Sequence, residues 1–120
     1  MITGCNYWAS HAGIRMWSDW REEVVREDFR KIASAGISVV RTFPLWPEFQ
    51  PLTLLRSAAG HCRELTFGDF PLPPTEAGRA GVDETMVERL LRLLDLAEEA
   101  GLKVELGLVT GWMSGRLFVP

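Results

Sequence analysis

An alternation of apolar and amphipathic segments constrains the fold of this 120-residue chain more than any other feature. The apolar segments have the length of β-strands, and the amphipathic segments carry apolar residues at helical spacing. They predict strands at 2–7, Ile37–Phe43 and Leu102–Val109, and helices at Trp20–Ala35 and Asp83–Ala100. A strand–helix–strand–helix–strand order requires right-handed crossovers between parallel strands. The sequence therefore predicts an α/β fold of the parallel βαβαβ type.

The first predicted helix carries clear end signals. Ser18 or Asp19 is a candidate N-cap, and Gly36 is a suitable C-terminal stop. The side chains at helical spacing that would face a sheet are Val25, Phe29, Ile32 and Ala33. This helix is therefore predicted to pack one apolar face against the strands.

Long connections follow every predicted strand. The longest, Pro44–Val82, is rich in proline and glycine, and a loop of that length in a compact domain is usually functional or disordered. Because parallel strands end on one edge of a sheet, the loops 8–20, 44–82 and 110–120 should gather there. Four of the five tryptophans lie in the first half of the chain: Trp8, Trp17, Trp20 and Trp46. They either fill a core or line a cleft.

Arg41 lies near the C-terminal end of the second predicted strand. A buried cation is costly unless it is paired, so Arg41 requires acidic partners. Alternation along the third strand places Glu105 on the side opposite Val104 and Leu106, where it could pair with Arg41. In the alternative, Glu105 is solvent-exposed on an incomplete sheet. Glu48 follows the second strand and is expected to be solvated.

Composition excludes several classes of function. Thirteen basic residues are dispersed among sixteen acidic ones, which argues against a nucleic-acid surface. No apolar run has the length of about 18 residues that a membrane span needs. The N-terminus lacks the features of a signal peptide, so we expect a cytoplasmic protein, with a shortened N-terminus as the alternative. Cys5 and Cys62 show no metal-site spacing.

The chain ends at Pro120 without a helix to cover the third strand. Parallel sheets need both faces buried and their edges protected. We therefore expect the first part of a larger domain, and self-association through exposed strand edges.

Several motifs together resemble one family. They are GCNYW at the N-terminus, IRMW in the first loop, DFRKIASAGISVVRTFPLWPEFQP through the first helix and second strand, and AEEAGLKVELGLVTGWMSG around the third strand. In this order they resemble the N-terminal part of clan A glycoside hydrolases, especially family 5-type cellulases and β-mannanases. The resemblance covers most of the chain except residues 52–82. It implies that residues 1–120 form the first three strands of a (β/α)8 barrel, also called a TIM barrel.

The resemblance implies a hydrolase that cleaves β-glycosidic bonds, in a β-mannan or β-glucan, with retention. Two glutamates act, one as acid/base and one as nucleophile. In the family these come from the fourth and seventh strands, so no catalytic residue is assigned in this chain. The resemblance implies no metal or organic cofactor. It gives Arg41 a supporting role, in which the guanidinium hydrogen-bonds the nucleophile and keeps it ionised.

Other residues are candidates for contact with a β-linked oligo- or polysaccharide. The substrate-binding candidates are Asn6, Trp8, His11, Trp46 and Trp112. Each has an alternative: Asn6 and Trp8 could fill the barrel mouth, as expected for Tyr7, Trp46 could anchor its loop, and His11 could be solvated. The TGWMSG segment lacks the ending of a phosphate-binding loop.

Two other interpretations of the chain remain open at this point. The first is a non-catalytic carbohydrate-binding or assembly module, and the second is a truncated product without function of its own. We expect no glycosidase activity from the 120 residues alone.

Overall fold

The computed structural model describes residues 1–60, 63–108, 110, 112–113 and 115–117. Cys62 and Val109, the predicted end of the third strand, lie outside the described residues. The elements are, in chain order, β1 (Gly4–Asn6), α1 (Glu22–Ser34), β2 (Val39–Thr42), α2 (Trp46–Phe49), β3 (Leu52–Arg56), β4 (Arg63–Phe67), β5 (Phe70–Pro71), α3 (Glu76–Arg79), α4 (Glu84–Glu99), β6 (Lys103–Leu106), β7 (Trp112–Met113) and β8 (Arg116–Leu117).

The predicted parallel sheet is confirmed. Its strand order is β1–β2–β6, and both pairs of neighbours are parallel. The register places Asn6 beside Arg41 and Arg41 beside Glu105. Residues that are neighbours across parallel strands project from the same face. These three polar side chains therefore form one row across one face of the sheet.

Helices α1 and α4 cover the opposite face of the sheet. The fully or almost fully buried side chains of this layer include Val25, Phe29, Val40, Leu93, Leu96 and Ala97. Burying a side chain of the size of valine, leucine or phenylalanine contributes about 1.5–3 kcal/mol. This layer is therefore the main source of stability. None of the helices that the structure describes combines the length and hydropathy that a transmembrane span requires.

Ion pairs join the solvent-facing sides of the two long helices. Arg92 donates to Glu22 at 2.6 Å, and Arg26 donates to Glu22 and Glu99. The hydrogen bond from Arg92, followed by that from Arg26, lowers the pKa of Glu22 to about 2. These glutamates thus serve helix pairing.

The predicted N-cap of α1 is wrong. Arg21 occupies that position in an extended conformation and makes no side-chain capping bond. Asp19 lies two residues before the N-cap, and its carboxylate accepts a hydrogen bond from Arg21 at 3.2 Å. In contrast, Asp83 caps α4 by accepting a hydrogen bond from the backbone N–H of Met86.

The segment predicted as the long loop Pro44–Val82 is instead partly regular. It contains α2, α3 and an antiparallel sheet of order β3–β4–β5. Leu54 lies opposite Leu65, and Gly68 takes a φ of +57° in the turn between β4 and β5. The proline-rich flanks obscured two five-residue strands, β3 and β4, whose pairing within this sheet depends on residues distant in the local pattern. The predicted final loop likewise contains the pair β7–β8.

Apolar side chains of this antiparallel sheet remain exposed. Leu54, Leu55 and Leu65 are exposed, and Phe70 is 74% exposed. In the parallel sheet, β1 and β6 each have one edge without a partner strand among the described residues. Self-association through strand edges stays a prediction. The exposed leucines and the unpaired edges of β1 and β6 are surfaces of the kind that promote it.

Thr42 gives a stability prediction. It is 0% exposed, and its hydroxyl has no hydrogen-bond partner among the described residues. An unpaired buried hydroxyl costs about 1–3 kcal/mol, so we expect Thr42→Val to raise the free energy of unfolding by about 1 kcal/mol. Urea unfolding of the two proteins measures this difference.

Thr66 supplies the matched control. It is also buried, but its hydroxyl donates to the carbonyl of Gly68 at 2.7 Å. Thr66→Val should lower the free energy of unfolding by about 1 kcal/mol because this bond is lost. A loss of stability in both variants would contradict the assignment of Thr42 as an unpaired group.

Candidate functional site

The face of the parallel sheet opposite the helices carries an open cavity of about 350 Å³. It is lined by Gly4, Cys5, Asn6, Val39, Arg41 and Glu105, which come from all three parallel strands. The row of Asn6, Arg41 and Glu105 is its polar component. Sequence reasoning singled out all three of these polar residues, and the strand register brings them together.

Arg41 is held by two contacts in this cavity. Its Nε lies 3.3 Å from Oε1 of Glu105, and its Cζ lies 5.1 Å from the ring centroid of Phe43. Arg41 and Glu105 pair as predicted, but the expectation of a buried cation with a buried partner is wrong, because both side chains are exposed on the open face of the sheet. The side chains are 49% and 62% exposed, and exposed pairs of this kind contribute at most about 1 kcal/mol. The pair therefore orients Arg41 more than it stabilises the fold.

The free part of Arg41 is chemically suited to an acid. Among the described residues, its Nη groups have no hydrogen-bond partner, while Nε faces Glu105. The two Nη groups of a guanidinium form a planar fork that matches the two oxygens of a carboxylate. Arg41 can thus accept a second acidic group without releasing Glu105.

A second row, of aromatic character, lies next to the polar one. Trp8 stacks on Phe43 with 5.4 Å between ring centroids and 22° between ring planes. Trp8 is only partly buried. Its packing fits the mouth-filling alternative, and contact with sugar stays a prediction. Phe43 and its support of Arg41 were missed because the sequence showed it only as a strand end.

The expectation that Tyr7 fills the barrel mouth is wrong. Its ring is buried 4.7 Å from that of Phe29, and its hydroxyl donates to Oδ2 of Asp28 at 3.1 Å. Alternation places Tyr7 on the helix side of the sheet, opposite Asn6. Burial, and then the charge of Asp28, raises the pKa of Tyr7. Tyr7 is a core residue between β1 and α1.

His11 lies in the loop after β1 and is not solvated as the alternative expected. Its side chain is 13% exposed, and its Nε2–H donates to the carbonyl of Asp19 at 2.7 Å. Nδ1 is buried and lacks a partner among the described residues. His11 therefore ties its loop together, and its contact with sugar stays a prediction.

The remaining tryptophans differ in environment. Trp17 is fully buried, and its Nε1–H donates to the carbonyl of Phe43 at 2.9 Å. Trp46 is half-buried and donates from Nε1 to Oε1 of Gln50 at 2.8 Å. Trp112 on β7 is 66% exposed. Trp17 thus belongs to the core, Trp46 anchors its segment, and Trp112 presents a free ring.

Glu48 on α2 is half-buried, so its expected solvated state is wrong. Its Oε2 is buried without a hydrogen-bond partner among the described residues. Burial raises the pKa of Glu48, while Ser18 and Arg89 oppose the shift. The packing of α2 against the first loop causes this burial, and no sequence pattern indicated it.

The buried state of Glu48 predicts a pH-dependent stability difference. Its folded-state pKa exceeds the ordinary value of 4.5, so its contribution is fully present below that value and is lost as pH rises through the folded-state pKa. Relative to Glu48→Gln, the wild-type chain should therefore lose stability as pH rises through and above 4.5. Urea titrations across this range measure the difference.

Glu23→Gln removes an exposed carboxylate from α1 and is the control for a simple change of net charge. A stability difference between wild type and Glu48→Gln that stays constant with pH, or that changes equally for Glu23→Gln, would contradict the burial of Glu48.

Within the part of the chain that the structure describes, no three His, Cys, Asp or Glu side chains are grouped as a metal site. The site therefore consists of an arginine oriented by a glutamate and an aromatic ring, with free amide and guanidinium donors beside it. Such a site can bind and orient a carboxylate or hydroxyl groups.

Solved structures similar to this chain are glycoside hydrolases. An exo-β-1,4-mannosidase from Opitutaceae bacterium strain TAV5 is 36% identical with a TM-score of 0.73, covering 100% of this chain and 17% of the mannosidase. A GH5_18 protein from Streptomyces cattleya, in complex with GlcNAc, is 30% identical with a TM-score of 0.74. The match covers 99% of this chain and 22% of that protein. A GH5_18 protein from Bifidobacterium longum subsp. infantis is 26% identical with a TM-score of 0.73. The match covers 100% of this chain and 22% of that protein.

These matches confirm the family resemblance that the motifs indicated, and they confirm the parallel sheet as part of a (β/α)8 barrel. The chain spans only 17% and 22% of the lengths of the first two of these structures. No family model matches the chain, and no curated protein matches it.

Proposed function

We propose that residues 1–120 form the N-terminal portion of a (β/α)8 catalytic domain that hydrolyses β-glycosidic bonds. The chain resembles family 5-type glycoside hydrolases of clan A. The observation that carries this proposal is Arg41. It lies near the C-terminal end of β2 and contacts Glu105 and Phe43, and among the described residues its Nη groups have no hydrogen-bond partner. Active sites of such barrels lie at the C-terminal ends of the strands.

The proposed reaction is hydrolysis with retention. A nucleophilic glutamate and an acid/base glutamate, about 5–5.5 Å apart, act through a covalent glycosyl intermediate. Neither glutamate is assigned in this chain. The part of Arg41 is to donate hydrogen bonds from its Nη groups to the nucleophile, which lowers the pKa of that carboxyl and holds it ionised.

The proposed substrate is a β-linked mannoside or glucoside. Similar structures include an exo-β-1,4-mannosidase and a GH5_18 variant in complex with Manβ1-4GlcNAc. Trp112 has an exposed ring, and Asn6 has a side-chain amide without a partner among the described residues. With Trp8, His11 and Trp46, these residues are the proposed contacts to sugar rings and hydroxyl groups.

The continuation of the gene tests this proposal first. An Asn-Glu pair at the end of a fourth strand and a glutamate at the end of a later strand would support a retaining hydrolase. A gene that encodes no such glutamates would contradict it.

Turnover by the purified protein is the second test. A protein that includes both glutamates should release the chromophore from a chromogenic β-mannoside or β-glucoside, whereas residues 1–120 alone should not. Turnover by residues 1–120 alone, abolished by Arg41→Ala, would contradict the placement of both glutamates outside this chain. Sugar binding without turnover by the protein that has both glutamates would favour the non-catalytic carbohydrate-binding module.

A further inference from the structure

Strand β6 contacts Arg41 in two independent ways. Glu105 approaches the guanidinium directly, and Gly107, immediately after β6, adjoins the ring of Phe43 that lies beside Cζ of Arg41. We propose that β6 is the positioning element for Arg41, with Glu105 as the positioning residue and Gly107 as the space that admits Phe43. The role of the positioned Arg41 rests on the proposed function, but the positioning itself does not.

The contact from Glu105 selects one edge of the guanidinium. Its Oε1 lies 3.3 Å from Nε of Arg41, and the two residues are register partners on β2 and β6. This ion pair holds the carboxylate beside the Nε edge of the guanidinium. Among the described residues, the two Nη groups have no hydrogen-bond partner, so they are the donors that a second carboxylate could use.

The contact through Gly107 acts on Arg41 by way of the Phe43 ring. A Cβ built on Gly107 would lie 2.7 Å from Cδ1 of Phe43, a distance that forces the ring to move. On its other side, Phe43 is stacked on Trp8. The Phe43 ring thus lies between Trp8 and Gly107, with Cζ of Arg41 5.1 Å from its centroid.

The core packing of the chain does not require a glutamate at position 105 or a glycine at position 107. Glu105 is 62% exposed, so its replacement removes no core contact. Gly107 has no side chain, and a Cβ at this position would meet the ring of Phe43. The positioning of Arg41 explains both Glu105 and Gly107.

The decisive measurement is the NMR signal of the Arg41 Nε–H in the 120-residue chain labelled with ¹⁵N. In Glu105→Gln, this signal should shift towards that of a free arginine side chain, and its exchange with solvent should become faster. In Gly107→Ala, the signal should shift as well, because Phe43 is displaced. Signals of Arg41 that stay unchanged in Glu105→Gln would overturn the proposal.

Glu98→Gln is the matched control, since Glu98 is an exposed glutamate on α4 without an ion pair among the described residues. It should leave the Arg41 signal in place. Backbone amide spectra establish that each variant is folded. If Gly107→Ala does not fold, Glu105→Gln alone decides the proposal.

A second measurement separates this proposal from the proposed function. In a protein that carries the chain and turns over a chromogenic β-mannoside, Glu105→Gln should lower kcat by up to about 100-fold with little change in KM, since small misplacements of a catalytic group have effects of that size. Unchanged kcat would overturn the positioning role. If the wild-type protein has no turnover but the Nε–H signal shifts, the proposed function fails and the positioning stands.

Discussion

Replacing Arg41 with lysine is expected to lower kcat by about 100- to 1,000-fold in a protein that contains this chain and both glutamates, which is the usual effect of losing one oriented electrostatic donor. Lysine keeps the positive charge but offers a single ammonium group in place of the planar fork. It could not pair with Glu105 and a second carboxylate in the same geometry. Steady-state kinetics with a chromogenic β-mannoside measure this loss.

The fold should survive this substitution. The Arg41 side chain is half exposed, and its pairing with Glu105 contributes at most about 1 kcal/mol to stability. Arg56→Lys on β3 is the matched control, because Arg56 is exposed and forms no ion pair among the described residues. Near-normal turnover of Arg41→Lys, or an equal loss in Arg56→Lys, would refute the supporting role of Arg41.

Replacing Trp17 with alanine is expected to lower the free energy of unfolding by about 3–5 kcal/mol, the usual cost of truncating a buried aromatic side chain. Trp17 is among the largest fully buried side chains of the described residues. Its ring lies edge-on to Phe49 and stacks with Trp20. A domain has only about 5–15 kcal/mol of stability, so much of the chain should unfold. Urea or thermal unfolding measures the loss.

Two variants define the cause of this effect. Trp17→Phe should keep most of the packing but leave the carbonyl of Phe43 without its hydrogen bond, at a cost of about 1–3 kcal/mol. Trp112→Ala removes a ring that is 66% exposed and should change stability by less than about 0.5 kcal/mol. Equal stabilities of Trp17→Ala and Trp112→Ala would contradict the assignment of Trp17 to the core.

Trp17 also links the core to the candidate site. Its indole N–H holds the carbonyl of Phe43, and its own carbonyl accepts a hydrogen bond from Arg89 on α4. Phe43 in turn contacts Arg41. Trp17 therefore connects the first loop, the end of the second parallel strand and the last long helix. Of the two alternatives that the sequence left for the tryptophans, the structure assigns Trp17 to the core.

The parallel sheet and its two long helices were predictable because their apolar residues repeat at distinct periods. The same reasoning missed β3 and β4, whose leucines lie between prolines and glycines, because those strands depend on pairing with each other. It also misplaced the N-cap of α1, which is Arg21 without a side-chain capping bond, while Asp19 accepts from Arg21.

For the candidate site, residue types and alternation along the strands determined much. The sequence by itself identified Arg41 as a cation in need of an acid, placed Glu105 on the matching side of the third parallel strand, and carried the motifs that indicate a glycoside hydrolase barrel. Those inferences are local, because side-chain direction in a strand follows from its period of two.

Only the tertiary structure decided what lies around these residues. It placed Tyr7 in the core, partly buried Glu48 and His11, and brought the Phe43 ring between Trp8, Arg41 and Gly107. The reason is physical. Burial and ring contacts depend on segments that are distant in sequence, and a local sequence pattern does not indicate how those segments pack together. The sequence thus determined which residues carry the chemistry, and the packing of the strands decided how Arg41 is held.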